Sequence, residues 1–247
     1  MRQLAMKTED AYINWAVRFI GFHDKAKPED LNDVHIKQYL EYLVIRRNVS
    51  ASTQNQALNA LIFLYKQVLK IELAEFDDFV RAKKPRRLPV VLSKSEVLII
   101  LSNIDNETYH LICSLLYGCG LRLMESLRLR VCDIDFDYNL IMIRNAKGNK
   151  DRVVPLPVKL EKLLGQQIEQ VKVLNQRDIE EGLEGVFLPD ALARKFPNAS
   201  KELRWQYLFA APRPGVDPRS RILRRHHIHE SNVQKSVKCA ANRAGII

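Results

Sequence analysis

The sequence predicts a mainly α-helical chain with a small antiparallel three-stranded sheet, divided into two domains. Three observations carry this. Apolar residues recur at helical spacing through the first seventy positions; a basic, proline-bearing stretch follows at 79–92; and between 131 and 156 the apolar period shifts towards two before helical spacing resumes. At 247 residues, 47% apolar and 28% charged, the chain has enough hydrocarbon for one or two cores and is not compositionally disordered.

Each element follows from its own pattern. Tyr12, Trp15, Phe19 and Ile20 stripe a first helix, with Thr8 placed to cap it. A second helix is expected over 32–47, burying Val34, Tyr39, Leu40 and Leu43. A third follows Ser50, with Leu58, Leu61, Ile62, Tyr65 and Leu69 inward; core packing accounts for all these aromatics. Arg81, Lys83, Lys84, Arg86 and Arg87 then crowd around Pro85 and Pro89, with no acidic residue from 81 to 95. This reads as a linker over 76–92, either a solvated charge run or a strap that tracks a polyanion. Ser93 and Glu96 form a capping-box pattern before Val97 and Leu98, so a helix starts there. Another spans 108–117 up to Gly118-Cys119-Gly120, and helical spacing resumes over 121–130. VCDIDFD, LIMIRNA and DRVVPLP, separated by Tyr138-Asn139 and Gly148-Asn149, give the three strands. A long helix is expected over 158–177, followed by a Pro-, Arg- and aromatic-rich stretch from 186.

The net charge of +10 and a pI near 9.5 raise the prior for a polyanionic partner, without choosing between DNA, RNA and an anionic membrane. No apolar run is long enough to span a bilayer, and the N-terminus has no apolar signal segment, so the expectation is a cytoplasmic protein. Cys113, Cys119, Cys132 and Cys239 form no CxxC pair and no zinc-site spacing; free thiols and no metal are predicted.

Two features suggest phosphate chemistry. Arg122 stands just past a glycine-flanked helix end with Glu125 three residues on, which is either a structural ion pair or a positioned phosphate ligand. Lys147 stands at a predicted hairpin tip in AKGNKDR, an ordinary polar turn when taken alone. Together, YGCGLRLMESLRLRVCDIDF followed by NAKGNKDRVVPLP resembles the start of the catalytic domain of tyrosine recombinases. The resemblance spans some forty residues and joins a helix motif to a hairpin motif.

The resemblance implies a site-specific DNA recombinase in which a tyrosine attacks the scissile phosphate to form a 3′-phosphotyrosine. Arg122 would meet the non-bridging oxygens, each charge-assisted contact contributing about 1.5–3 kcal/mol. Glu125 would orient that arginine, and Lys147 would protonate the leaving 5′-oxygen. Because the covalent intermediate conserves the bond energy, no metal or nucleotide cofactor is implied. Residues 1–75 resemble the helical core-binding domain, 93–247 the N-terminal part of the catalytic domain, and the pair a clamp on DNA, tetrameric in the intact family.

FPNASKELRWQYLF and DPRSRILRRHHIHE further resemble the added segment of integron integrases, here 186–231, which recognises bases protruding from folded single strands. His226 and His227 match its paired histidines. Trp205, Tyr207 and Pro218 are candidate stacking platforms, and Arg221, Arg224 and Arg225 candidate phosphate contacts. The alternative is that Trp205 and Tyr207 pack the insertion while RILRRHHIH forms an exposed basic helix. The family's H-x-x-R motif and late tyrosine have no match in this sequence, whose last tyrosine is Tyr207. The reading is therefore of a chain shortened at both ends that binds DNA, or competes for its sites, with incomplete chemistry.

Overall fold

The computed structural model describes residues 6–73, 79–83, 90–146, 150–218 and 220–246, with backbone alone for Asn145, Ala146 and Asp190. The chain divides into two compact units, 1–90 and 91–247.

Among the described residues, the first unit holds three α-helices, α1 (Met6–Phe22), α2 (Asp33–Ile45) and α3 (Ala51–Phe63), the last running on into π-helical turns at Leu64–Leu69. Asn32 caps α2 and Ser50 caps α3, each side chain accepting a backbone N–H that the helix leaves unpaired. Trp15 and Phe19 from α1, Ile36, Tyr39, Leu40 and Leu43 from α2, and Ala57, Leu61 and Tyr65 from the third segment form one core. Phe19 sits at its centre, edge-on to Tyr39 at 5.6 Å and Tyr65 at 6.3 Å. The Tyr65 hydroxyl donates to the Pro28 carbonyl at 2.9 Å, and burial pushes both phenols up to about 12.

Three expectations shift here. Thr8 lies inside α1 rather than capping it. Val34 is 52% exposed and Ile36 takes the inward position, because Ile36, Tyr39, Leu40 and Leu43 share one face at i, i+3, i+4 and i+7 while Val34, two residues before Ile36, points the other way. Part of the expected linker is pinned to this unit: buried Gln54 donates to the carbonyls of Leu40 and Val80 and accepts from the Ala82 N–H.

In the second unit, α4 (Lys94–Ser102) opens on the capping box of Ser93 and Glu96, with reciprocal bonds of 3.2 and 2.7 Å. The Ser93 backbone N–H and then its hydroxyl hold the Glu96 carboxyl below its usual range. α5 (Glu107–Cys119) starts at the Asn106 cap and stops at Gly120, whose φ of 62° is a left-handed conformation that glycine adopts without a steric penalty. α6 is shorter than the periodicity suggests, Leu123–Leu127. β1 (Ile134–Asp135), β2 (Leu140–Ala146) and β3 (Lys150–Pro155) make an antiparallel sheet in that order. Alternation turns Ile141 and Ile143 into the core, where they meet Ile112, Leu115, Leu127 and Leu164 of α5, α6 and α7 (Val158–Glu180).

The stretch from 186 carries only short elements: α8 (Asp190–Lys195), two 3-10 turns, and a hairpin of β4 (Gly215–Val216) and β5 (Leu223–Arg224). RILRRHHIH is thus extended chain, not the basic helix of the alternative reading. α9 (Glu230–Arg243) then packs Val233, Ala240 and Ala241 back into the main core, and Arg243 bonds to Asp105 and the Asn103 carbonyl. Among the described residues, no helix is long and apolar enough to cross a membrane.

Candidate functional site

The N-terminus of α6 builds one wall of an open cleft of about 750 Å³ in the second unit. Gly120 ends α5 and lets the chain reverse, so that Arg122 becomes the N-cap of α6 and Glu125 its third residue. The Glu125 carboxylate accepts the Arg122 backbone N–H at 2.9 Å, which satisfies an end group the helix leaves open, and also the Arg122 guanidinium at 2.7 Å. From the sheet, Arg152 adds two parallel bonds to the same carboxylate, at 2.9 and 2.7 Å.

The Arg152 bonds, foremost, and then those from Arg122 hold the Glu125 carboxyl down to about 2, against the opposing effect of its burial. Glu125 is 9% exposed while the Arg122 side chain is 59% exposed. The carboxylate is therefore a fixed internal anchor, and Arg122 has donors left for a ligand in the cleft. A guanidinium held this way offers a forked set of N–H groups to the oxygens of a phosphate without first having to be ordered.

Arg152 is the residue that sequence reasoning left without a role, although it stood in the quoted hairpin motif. Arg128, Arg130, Arg144 and Asp133 were likewise unassigned and also line the cleft. Arg144 pairs with Asp133 at 2.6 Å, and Asp133 caps the Arg130 N–H, an i to i+3 pattern the sequence does contain. Lys147 lies outside the described residues, as do Lys84, Arg86 and Arg87 of the basic stretch. Arg81 is described with its guanidinium 5.0 Å from the Phe79 ring, and Lys83 is exposed.

The opposite wall comes from the 186–231 stretch, through Phe187, Pro189, Trp205, Tyr207, His226 and His227. Tyr207 is 7% exposed and packs with Val186, Leu188 and Ala199, beneath the Arg130 guanidinium at 4.6 Å. Of its two readings, packing is the one this burial supports. Trp205 is half-buried at the edge of the same cluster. His226 stacks nearly parallel on Tyr207 at 6.2 Å and faces the Asp217 carboxylate at 3.6 Å. His227 hydrogen-bonds the Ile228 carbonyl through Nδ1 at 2.8 Å, and burial draws its pKa below the usual histidine value.

Arg225 does not fit the phosphate-contact expectation. It is 5% exposed, bonded in parallel to Asp178 of α7 and also to the Ala211 carbonyl. Arg224 is half-buried with one donor on the Val186 carbonyl. Arg221, at the exposed turn between β4 and β5, remains open to a ligand, as does exposed Pro218. No cluster of three or more His, Cys, Asp or Glu side chains comes together among the described residues.

These features have counterparts in known proteins. Residues 1–75 match the profile of the phage integrase N-terminal SAM-like domain, and residues 90–247 match that of the phage integrase family. The chain belongs to the phage integrase, or tyrosine recombinase, family. An integrase/recombinase of Escherichia coli is 41% identical over 242 residues, 98% of this chain and 72% of the relative. A tyrosine recombinase of Pseudothermotoga lettingae is 33% identical over 171 residues, 66% of this chain and 60% of that one. In fold, the chain is similar to XerH site-specific recombinase bound to palindromic difH substrate in a post-cleavage complex. That likeness has a TM-score of 0.59 at 19% identity and covers 96% of this chain and 63% of XerH.

Proposed function

We propose that this recombinase chain is of the integron-integrase type and acts on the recombination sites of cassettes, engaging DNA whose strands fold to leave bases unpaired. The observation that carries the reading is the composition of the cleft. Its first wall holds Arg122 ready for a phosphate, and its second is built from the inserted segment with Trp205, His226 and His227 at the rim. A scissile phosphate would lie against Arg122, with Glu125 fixing that arginine and Lys147 of the β2–β3 connection donating a proton to the leaving oxygen. An unpaired base would stack on the flat side chains opposite, contributing about 1–3 kcal/mol. No cofactor enters this scheme, and assembly on DNA would be as a homo-tetramer.

The test compares a hairpin carrying two protruding bases with the same hairpin fully paired, by gel shift at one fixed salt concentration. Tighter binding to the protruding form, lost in Trp205→Ala and His226→Ala, is expected. Equal affinity for the two would remove the integron-type assignment while leaving the family intact.

A second reading, DNA binding without cleavage by the residues of this sequence, is favoured by Tyr207. This tyrosine is 7% exposed, packed with Val186, Leu188 and Ala199, and covered by the Arg130 guanidinium. A nicked substrate that traps covalent intermediates separates the two readings: a protein–DNA adduct formed by this chain would overturn the second.

A further inference from the structure

The two walls of the cleft come from different parts of the chain, and Arg130 joins them. It stands just after α6, on the wall of Arg122, where the buried Asp133 accepts the Arg130 backbone N–H at 2.9 Å. From there 129–131 runs antiparallel to 206–208 of the inserted segment. Arg130 pairs with Tyr207, the Val131 N–H donates to the Gln206 carbonyl at 3.1 Å, and the Leu208 N–H donates to the Leu129 carbonyl at 2.8 Å. The Arg130 side chain then crosses to the opposite wall. One Nη donates to the Trp205 carbonyl and the other to the Phe187 carbonyl at 2.7 Å, while the guanidinium lies over the Tyr207 ring, 4.6 Å from its centroid.

A strut that merely satisfied loose carbonyls could use any pair within reach. Arg130 instead takes the carbonyl of Trp205 itself and covers Tyr207, on which His226 stacks nearly parallel at 6.2 Å. Two flat side chains at the rim thus depend on one guanidinium, Trp205 through its backbone and His226 through Tyr207. The fork matters to this role. Its Nη groups lie in one plane and fix the distance between the chain at 187 and at 205, whereas an ammonium is a point charge without that fixed geometry. The root of the side chain is fixed as well, because Asp133 is itself held by Arg144 at 2.6 Å. A stacking platform gains from such support: a base binds more tightly to rings already held in place than to rings it must first order.

We propose that Arg130 is a positioning residue for base recognition: it sets Trp205 and the Tyr207–His226 stack at the spacing and angle that an unpaired base requires, without touching the base itself. Selectivity for protruding bases is then set from the wall that carries Arg122, outside the inserted segment. The inference rests on the reading of the cleft as a site for folded DNA with unpaired bases. It deepens that reading by naming the group on which the platforms depend.

The test measures, for the full chain and for Arg130→Lys, the ratio of affinities for a hairpin with protruding bases and for the same hairpin fully paired. A 2-aminopurine at one protruding position reports stacking through its quenching, and hydrogen exchange at 199–211 reports whether the segment is folded. The parent should favour the protruding form by roughly 5- to 150-fold for one stacked base and should quench the probe. Arg130→Lys keeps a cation but loses the fork, so its ratio should fall towards one and the probe should stay bright, with the amides at 199–211 protected as in the parent. In a Trp205→Ala background the same substitution should change the ratio less than it does in the parent; an equal change would overturn the proposal, because Arg130 would then act without its platform. A ratio that Arg130→Lys retains overturns the inference alone and leaves the integron-type reading in place. A ratio lost together with amide protection makes Arg130 a structural strut and also overturns it. If the parent binds both hairpins equally, the integron-type reading fails and this inference fails with it.

Discussion

The body of the second unit and the segment at 186–231 rest on different mixtures of forces. Leu115, Leu127, Ile141, Ile143 and Leu164 bury the body's helices against its sheet in a continuous hydrocarbon core. The segment reaches that core through Leu208, Phe209 and Ile228 and adds a small cluster of its own, Val186, Leu188, Ala199 and Tyr207, with Leu192 and Trp205 at the margin. Beyond this hydrocarbon it uses guanidinium groups as internal struts. Arg130 bonds the carbonyls of Trp205 and Phe187, Arg224 that of Val186, and Arg225 joins Ala211 to Asp178 of α7. An irregular segment leaves many carbonyls outside regular ladders, and arginine, with five donors on a long stem, can satisfy several at once. Basic residues in this protein are therefore of two kinds, and their position in the sequence does not separate them.

The largest effect that would break this contrast is expected at Arg225. Replacing it with alanine leaves the Asp178 carboxylate buried without its partner and should cost about 3–5 kcal/mol. Hydrogen exchange should rise first at 199–211 and 223–228, ahead of the body. A uniform rise across the unit would mean that the segment is not a separately held region. Leu115→Ala tests the other side. Removing a fully buried leucine should cost about 2–5 kcal/mol and shift the urea midpoint of the whole unit, read through Trp205 in a Trp15→Phe background. Should Leu115→Ala loosen only the segment and leave the body's midpoint unchanged, Leu115 would not be part of the body's own support.

Gly185 marks the junction between the two regions and gives a smaller effect. Its φ is +75°, and a Cβ there would stand 2.2 Å from the Ser200 carbonyl oxygen, which is backbone and cannot step aside cheaply. Gly185→Ala should cost about 1–3 kcal/mol for the conformation alone and displace the Val186–Ser200 hydrogen bond. A melting temperature equal to the parent's would show that this junction yields freely.

The same contrast explains what was legible in the sequence. Local signals were readable: the Ser93 and Glu96 box, the alternation of the strands and the Arg122–Glu125 spacing all depend on residues close in sequence. The second partner of Glu125, Arg152, arrives from a strand 27 residues on, and no local pattern encodes that closure. Arg225 misled for a related reason. In RILRRHHIH it reads as one more surface cation, and only the position of Asp178, 47 residues earlier, makes it internal. Val34 reads as an inward residue because it is apolar, although Tyr39, Leu40 and Leu43 continue at helical spacing to Ile36 and not to Val34.

The smallest effect concerns the anchor of Arg122 and is read through acid. The Glu125 carboxyl titrates near 2 in the folded chain against an ordinary value of 4.5. A depressed folded value means that the clamp's contribution is fully present above about 4.5 and is lost as pH falls through about 2. At neutral pH that contribution should be about 1 kcal/mol, the scale of partly exposed ion pairs. Glu125→Gln removes the charge, so subtracting its stability curve from the parent's between pH 7 and pH 2 should leave a difference that shrinks only in that acid window. Two parallel curves would mean that Arg122 and Arg152 do not depend on the carboxylate. DNA binding supplies the complementary reading: with its anchor neutralised, Arg122 becomes a mobile cation, and affinity for a phosphate-bearing duplex should fall less than any cleavage that depends on its orientation. Equal loss of both would make Glu125 a structural residue of α6 rather than a positioning one.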